Sequence, residues 1–475
     1  MSERDDKQLQ EKTDPGEKRG IERRDILQGM ATLPVLGLFG YAVHKQVSYK
    51  NATIAQTLGT AQASDLREVN VALIGAGAQG QVLLDAMLKI PNLRFRAVCD
   101  IWEFNLGRAI RTLKKYDHEV NGYEDYREML DKEKDVEAVV IATPDFWHAP
   151  HTIDSLRAGK HVYCEKEMSN TLEGARAMVL AARETGKLLQ IGHQRRSNPR
   201  YIYCYEKLVK EAKLLGRIVT VNGQWNRAVQ EDLGYPKRYE IPAEKLRQYG
   251  YKSMEQFRNW RWYRGLGGGP IVDLGSHQID IYNWFLEANP VAVMASGGND
   301  YYSPETREWY DTAMVVYEYH TAEGPARAYY QTQTTNSSLG YFERFMGDQG
   351  TLVISESDAN YANAIYREVT APPWDEWIQK GYVTAPKVAE VQEERNVVLD
   401  VRESVSPEEH KIPIEFVDLY HRPHLMNFFN AVRGLEKLNC PAEVGYESAV
   451  TVLKVNEAIE AKRRLEFRPE EFEVS

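Results

Sequence analysis

Hydrophobic positions in the first part of the chain cluster into short continuous runs, and the stretches between them carry apolar residues at helical spacing. The first run, Val69 to Ile74, passes straight into glycines at 75, 77 and 80, after which Leu83, Leu84, Met87 and Leu88 repeat with a helical period. Further apolar runs cover Phe95 to Cys99, Val136 to Ala142, Lys160 to Cys164 and Leu188 to Ile191. Helical segments are predicted between them at Asp125 to Asp131, Ala149 to Ala158 and Leu172 to Thr185. Strands without alternation are those buried on both faces of a parallel sheet, so this part reads as a doubly wound α/β fold.

Beyond Arg200 the texture changes to aromatic-rich segments of alternating character. Ile218 to Trp225, Val291 to Ser296, Thr312 to Tyr319 and Ala326 to Thr334 read as strands of a large, mostly antiparallel sheet in an α+β domain. A sheet with helices on one face must cover the other, which predicts a homo-oligomer, a dimer or a tetramer. Gly267-Gly268-Gly269-Pro270 opens a helix in which Leu274, Ile281 and Phe285 form the packing side.

At 475 residues the chain exceeds one ordinary core, in keeping with two domains. A formal net charge of -10 with acids and bases interspersed gives no basic surface for nucleic acid. Cys99, Cys164, Cys204 and Cys440 lack the close spacing of zinc or redox pairs, and apolar or aromatic neighbours mark the first three as core thiols. His148 and His151 make only an isolated pair, short of the three protein ligands that zinc requires, so no metal is expected.

Ahead of these domains, residues 1 to 20 are polar, and Arg23-Arg24 precedes an apolar stretch from Met30 to Val43 broken by Pro34, Gly37 and Gly40. That stretch is too short to span a bilayer. With Ala61-Gln62-Ala63 behind it, the segment 1–64 reads as a leader with a twin-arginine export signal, placing the protein in the periplasm. The alternatives are an uncleaved leader acting as a membrane anchor, or a short helix packed on the body of a cytoplasmic protein.

Chemistry enters at the strand ends. Gly75, Gly77 and Gly80, with Ala78 and Gln79 between them, follow a strand and open a helix, the context a dinucleotide-binding glycine loop needs. Asp100 closes the second strand 20 residues after Gly80, where an acid meets the adenosine ribose and favours NAD over NADP. The later strands end at Thr143-Pro144-Asp145, at Glu165-Lys166 and at Gly192-His193-Gln194-Arg195, so these residues face the same ligand crevice. On the glycine-led helix Asp273 and His277 share a face, and a carboxylate beside an imidazole suits a general base. Spacing alone equally fits an ordinary surface pair. Trp260-Arg261-Trp262 offers aromatic faces and donors to a pyranose ring, or else a core or subunit contact.

In the order of these motifs, the chain from Val69 onward resembles the Gfo/Idh/MocA oxidoreductases, the glucose-fructose oxidoreductase and inositol dehydrogenase family. The resemblance rests on Gly75 to Gly80, Ala142-Thr143-Pro144 with His148, Glu165-Lys166 and Asp273-Leu-Gly-Ser-His277, with Leu425 to Gly434 and Tyr446 to Arg463 as C-terminal elements. It implies a Rossmann domain over 65–192, a substrate and oligomerisation domain over 193–475, and hydride transfer from a carbinol to NAD. Lys166, Asp273 and His277 would then form the catalytic group: His277 the base, Lys166 the donor to the reacting oxygen, Asp273 the orienting carboxylate. Glu165, Lys166, Thr143, Pro144, His148 and Gln194 would line the cofactor. His193, Arg195, Trp260, Arg261 and Trp262 would contact the sugar.

Glu167 stands where the family usually has proline, and the long segment Asn226 to Arg258 is expected to form a substrate-facing loop. The likeness is strongest to exported members that oxidise a ring hydroxyl, such as the third, of a glycoside. The same residues would serve a redox-neutral glycosidase in which bound NAD oxidises the sugar transiently. A non-enzymatic NAD-binding sensor is the third reading, opposed by the retained Lys166, Asp273 and His277.

Overall fold

The computed structural model describes residues 66–358, 362–386 and 407–475. The leader and its arginine pair lie outside these residues. Within them the first sheet holds β1 (Val69–Ile74), β2 (Leu93–Cys99), β3 (Asn121–Tyr123), β4 (Ala138–Ile141), β5 (His161–Cys164) and β6 (Leu189–Ile191). All its pairings are parallel, in the order β3-β2-β1-β4-β5-β6. The crossovers are α1 (Ala78–Met87), α2 (Glu103–Lys114), α3 (Tyr126–Lys132), α4 (Asp145–Arg157) and α5 (Leu172–Thr185). The continuous apolar runs are buried as their lack of alternation requires, with every residue of β4 inaccessible to solvent.

Register decides where the chemistry lands. Ile74 pairs with Cys99 and with Ile141, Ile141 with Cys164, and Cys164 with Ile191. The residues that follow each strand, among them Gly75, Thr143, Lys166 and His193, therefore emerge along one edge. The strand order reverses between β1 and β4, and the crevice at such a reversal is where ligands of doubly wound sheets bind.

The second sheet takes β7 (Ile218–Asn226), β8 (Pro290–Gly298), β9 (Thr312–Thr321) and β10 (Gly324–Gln333), close to the predicted segments. It also takes β11 (Tyr341–Gly347), β12 (Gly350–Ile354), β13 (Ala364–Arg367), β14 (Glu408–Lys411) and β15 (Leu465–Glu466), which the alternation pattern did not reveal. Their order is β14-β13-β12-β11-β7-β10-β9-β8-β15. All contacts are antiparallel but one, the parallel pair β7 and β10, which are far apart in sequence.

One face of this sheet, with Val221, Tyr317 and Ala328 pointing inward, packs on α8 (Gly269–Leu286) and α10 (Ala442–Ala461). Between β7 and α8 the chain forms α6 (Ala243–Gln248) and α7 (Met254–Arg258), and before α10 it forms α9 (Arg422–Val432). Helix α9 returns to the first sheet, where Leu425, Phe428 and Phe429 join the core of Leu83, Leu84 and Tyr163. The four cysteines are buried.

The segment Asn226 to Arg258 faces the substrate side only at its start, where Arg227 and Gln230 line the cavity at Asp273; from Tyr235 onward it folds on itself. It builds a small core of its own from Ile241, Leu246, Tyr251 and Met254, and this core closes on Trp102 of the first domain. The Trp102 indole donates to the Tyr239 carbonyl at 2.6 Å and meets Phe257 edge-on, while Phe146 and Trp147 contact Tyr251 and Tyr249. Those aromatics follow β2 and β4 directly, so the insertion covers the carboxyl edge of the dinucleotide sheet. Apolar area decides this: a segment with eight large hydrophobic side chains from 235 to 257 buries them on the nearest apolar surface.

Candidate active site

The glycine loop is shaped for a pyrophosphate. Gly75 has φ +89° and abuts Ala142, and a Cβ at Gly80 would lie 2.0 Å from the Gly75 carbonyl oxygen, which forces the tight turn and close helix packing. At Gly77 the nearest atom to an added Cβ is 3.8 Å away, so backbone there stays open to a ligand. Gly77 also caps α1 without a side-chain acceptor, and no acid occupies the first turn. Exposed N–H groups at a helix N-terminus make an anion site, and the loop thus fits a dinucleotide. Gln79 turns to His421, whose Nε2 lies 2.9 Å from its amide nitrogen, a neighbour no local motif announced.

Asp100 sits beside this loop, with both carboxylate oxygens already engaged. Oδ2 accepts from the Ala76 N–H at 2.8 Å and from Asn105, and Oδ1 accepts from the Trp102 N–H at 2.8 Å. Burial pushes its carboxyl up to about 6, against those three donors. It braces the loop. His148 departs further from its expected role: its ring nitrogens lie 2.7 Å from the carbonyls of Thr143 and Glu167, so its one N–H donates to one of them and the ring sits wedged between two strand ends. Burial lowers it to about 4. Pro144 caps α4, Thr143 meets His151, and Glu165 accepts from the Tyr163 hydroxyl at 3.3 Å.

Lys166 and Asp273 come together. Lys166 Nζ donates to the Asp273 carbonyl and lies 3.2 Å from its carboxylate. Arg261 Nε donates to the same carboxylate at 3.1 Å, and Arg227 approaches it to 4.0 Å. Burial pushes the Asp273 carboxyl up, but Lys166, Arg261 and Arg227 outweigh burial and hold it well below the usual carboxylate range. The peptide bond from Lys166 to Glu167 is cis although proline is absent.

No hydrogen bond links Asp273 to His277, so the orienting role assigned from their spacing is corrected: the three cations take the carboxylate. His277 instead packs beside Trp225, with ring centroids 5.5 Å apart, and its Nδ1 is buried without a partner among the described residues. Burial, then the charges of Lys166 and Arg195, lower its pKa well below 6.5, which leaves it a neutral acceptor. His193 lies nearby with both ring nitrogens likewise unpartnered and its pKa lowered by burial to about 4.

The residues expected to meet a sugar divide. Trp262 and Arg261 line a cavity of about 50 Å³ with Arg227, Gln230, Asp273 and Thr334. Trp260 does not reach it. That indole is buried in the insertion's core with the Arg261 guanidinium 4.3 Å over it. Arg195 is a core residue, paired with Glu343 and with Glu356 at 2.9 Å, and Gln194 also donates to Glu356. A guanidinium spent on two buried carboxylates cannot turn to a ligand without stranding their charge, so Arg195 is a poor ligand contact. Trp225, stacked on Tyr341 at 4.4 Å, sits beside His277 without being among the residues expected to meet a sugar, and the strand assignment Ile218 to Trp225 was the available hint.

Two family models match the chain: "Oxidoreductase family, NAD-binding Rossmann fold" over residues 69–193 and "GFO/IDH/MocA C-terminal domain" over residues 207–353. Together they span more than half of it. An inositol 2-dehydrogenase of Rubrobacter xylanophilus is 28% identical over 237 residues, covering 50% of this chain and 57% of the relative. A glycosyl hydrolase family 109 protein of Shewanella is 36% identical over 111 residues, 22% of this chain and 24% of the relative. The matched segments thus span well under two thirds of these relatives. Among solved structures, an aldose-aldose oxidoreductase from Caulobacter crescentus superposes with a TM-score of 0.61 at 19% identity, over 84% of this chain and 100% of that one, a likeness of fold.

Proposed function

The chain belongs to the Gfo/Idh/MocA oxidoreductase family, and from that premise we propose that it oxidises a ring hydroxyl of a sugar, glycoside or polyol with a nicotinamide dinucleotide. The observation that carries this reading is the meeting of Lys166 with Asp273, on the helix turn that holds His277, at the carboxyl edge that starts from the glycine loop. The bound dinucleotide supplies the acceptor for the carbinol hydride. His277, kept neutral by burial, takes the hydroxyl proton. Lys166 donates to the reacting oxygen as negative charge develops there. Asp273 fixes Lys166 and Arg261 and leaves the imidazole to Trp225 and the substrate.

NAD is the proposed cofactor, since a carboxylate at Asp100 repels a 2′-phosphate. Arg258, 5.0 Å over the Trp102 ring, is the feature that would suit NADP, and the nicotinamide extracted from the purified protein decides between them. The leader makes cofactor retention part of the proposal. A folded protein exported through a twin-arginine route carries its dinucleotide across and regenerates it in place with a second substrate. The insertion over Trp102 and Phe146 supports such retention.

The test is a purification without added cofactor, then absorption spectra before and after a panel of sugars. About one nicotinamide per chain, retained through dialysis and reduced by sugar, is expected. Recovery of cofactor-free protein would contradict retention, and retained cofactor that no sugar reduces would contradict the oxidation. The likeness to a family 109 glycosyl hydrolase favours one second reading, cleavage of a glycosidic bond with transient oxidation. A keto-sugar with its glycosidic bond intact marks the dehydrogenase; a free reducing sugar without net reduced cofactor marks the glycosidase.

A further inference from the structure

The cavity beside Asp273 gathers three cations around one carboxylate. Lys166 at 3.2 Å, Arg261 at 3.1 Å and Arg227 at 4.0 Å all converge on one carboxylate. Lys166 alone would satisfy Asp273 as a counter-ion. Other large cations of the domain have carboxylates of their own: Arg195 pairs with Glu343 and Glu356, Arg196 with Asp280, and Arg307 with Asp232. Glu165 also acts on Arg261, Glu167 lies near Lys166, and Asp145 lies near both cations. Burial and the charge of Asp273 push it up to about 7, so at neutral pH it supplies only part of a balancing charge.

The arginines are also placed to meet an anion. Both line the cavity with Trp262, Gln230 and Thr334, and their side chains are 28% and 44% exposed, so the guanidinium ends are reachable. Arg261 spends one nitrogen, Nε, on Asp273, and Arg227 makes no side-chain hydrogen bond among the described residues. Unspent guanidinium groups in a concave site concentrate anions, and their planar forks match a carboxylate.

We infer that the substrate of this site is a sugar acid, or a glycoside of one, whose carboxylate is held by Arg227 and Arg261. This rests on the proposed oxidation for the reacting hydroxyl and on the two arginines for the carboxylate.

The test measures binding of D-glucuronate, D-gluconate, D-glucose and D-glucose 6-phosphate to the full protein with its nicotinamide, by calorimetry, and reads nicotinamide reduction in the same samples. At least one of the two acids should bind about tenfold tighter than glucose, and added salt should erode that advantage. Arg227→Gln and Arg261→Gln should each weaken the favoured acid about tenfold more than they weaken glucose. Arg227→Lys, which keeps the charge and loses the fork, should fall between. Glucose binding as tightly as both acids would overturn the inference, as would variants that weaken acid and glucose alike. Tighter binding of the phosphate than of either acid would overturn the choice of carboxylate. Tight acid binding without reduction leaves this inference standing and contradicts the oxidation; reduction by glucose at equal affinity does the reverse.

Discussion

His277 can accept a proton only while neutral, and burial among Lys166, Arg195 and His193 keeps it so. His277→Ala and Lys166→Ala should therefore each lower turnover by about a hundredfold while leaving nicotinamide bound, the usual size of general-base and oxyanion contributions. Steady-state rates with cofactor content measured alongside would check this. Glu167 makes a separate prediction about stability. It is fully buried, its Oε1 accepts from the Met168 N–H at 2.8 Å, and its Oε2 has no partner among the described residues. Burial pushes its carboxyl from 4.5 up to about 8, so across that window the folded chain keeps a proton the unfolded chain has released. Stability from this group is present below pH 4.5 and is lost as pH rises toward 8. Glu167→Gln keeps the acceptor and removes the ionisation, and its melting temperature should gain about 2 °C or more at the upper end of the window relative to the lower. A gain independent of pH would contradict a buried neutral carboxyl. At this scale the sequence disclosed the residues that end strands or share a helix face, such as Lys166 and His277. It could not disclose Arg227, which reaches Asp273 only because β7 ends there, nor that Arg195 and His148 spend their polar atoms inside the protein.

The insertion between β7 and α8 is an element whose partner the local pattern could not name. Its hydrophobic residues were visible, but only the tertiary structure shows that they meet Trp102 and Phe146. The strands β11 to β14 were hidden for a different reason: β13 and β14 are four residues long, and β14 reads Glu-Glu-His-Lys, so neither displays an apolar alternation. Pairing of β7 with β10 is likewise a matter of topology, beyond any local window. By contrast, the first sheet was legible because parallel strands buried on both faces write their burial into the sequence. If the insertion seals the cofactor in, Trp102→Ala should loosen the seal, since it removes a buried indole and its bond to Tyr239. Nicotinamide should then be lost on dialysis, measured as cofactor per chain, with the protein still folded. Full retention in that variant would place the tight grip elsewhere.

Across the whole molecule, one continuous core joins the dinucleotide sheet to the helical face of the second sheet. No helix among the described residues is long and apolar enough to cross a membrane. The opposite face of the second sheet carries Met294 and Met314, 40% and 47% exposed, on neighbouring strands β8 and β9. Light scattering should report a dimer or tetramer, and Met314→Glu should shift it toward the monomer. A monomeric native protein would contradict a covered sheet face. Everything else depends on whether a carbinol hydride reaches the dinucleotide. Ring-deuterated sugars, a deuterated hexuronate among them, added to the purified protein and followed by mass spectrometry of the extracted nicotinamide, test that step. One deuterium is expected in the nicotinamide of the wild type and none in His277→Ala over the same interval; sugar consumed with no label in the nicotinamide would contradict hydride transfer.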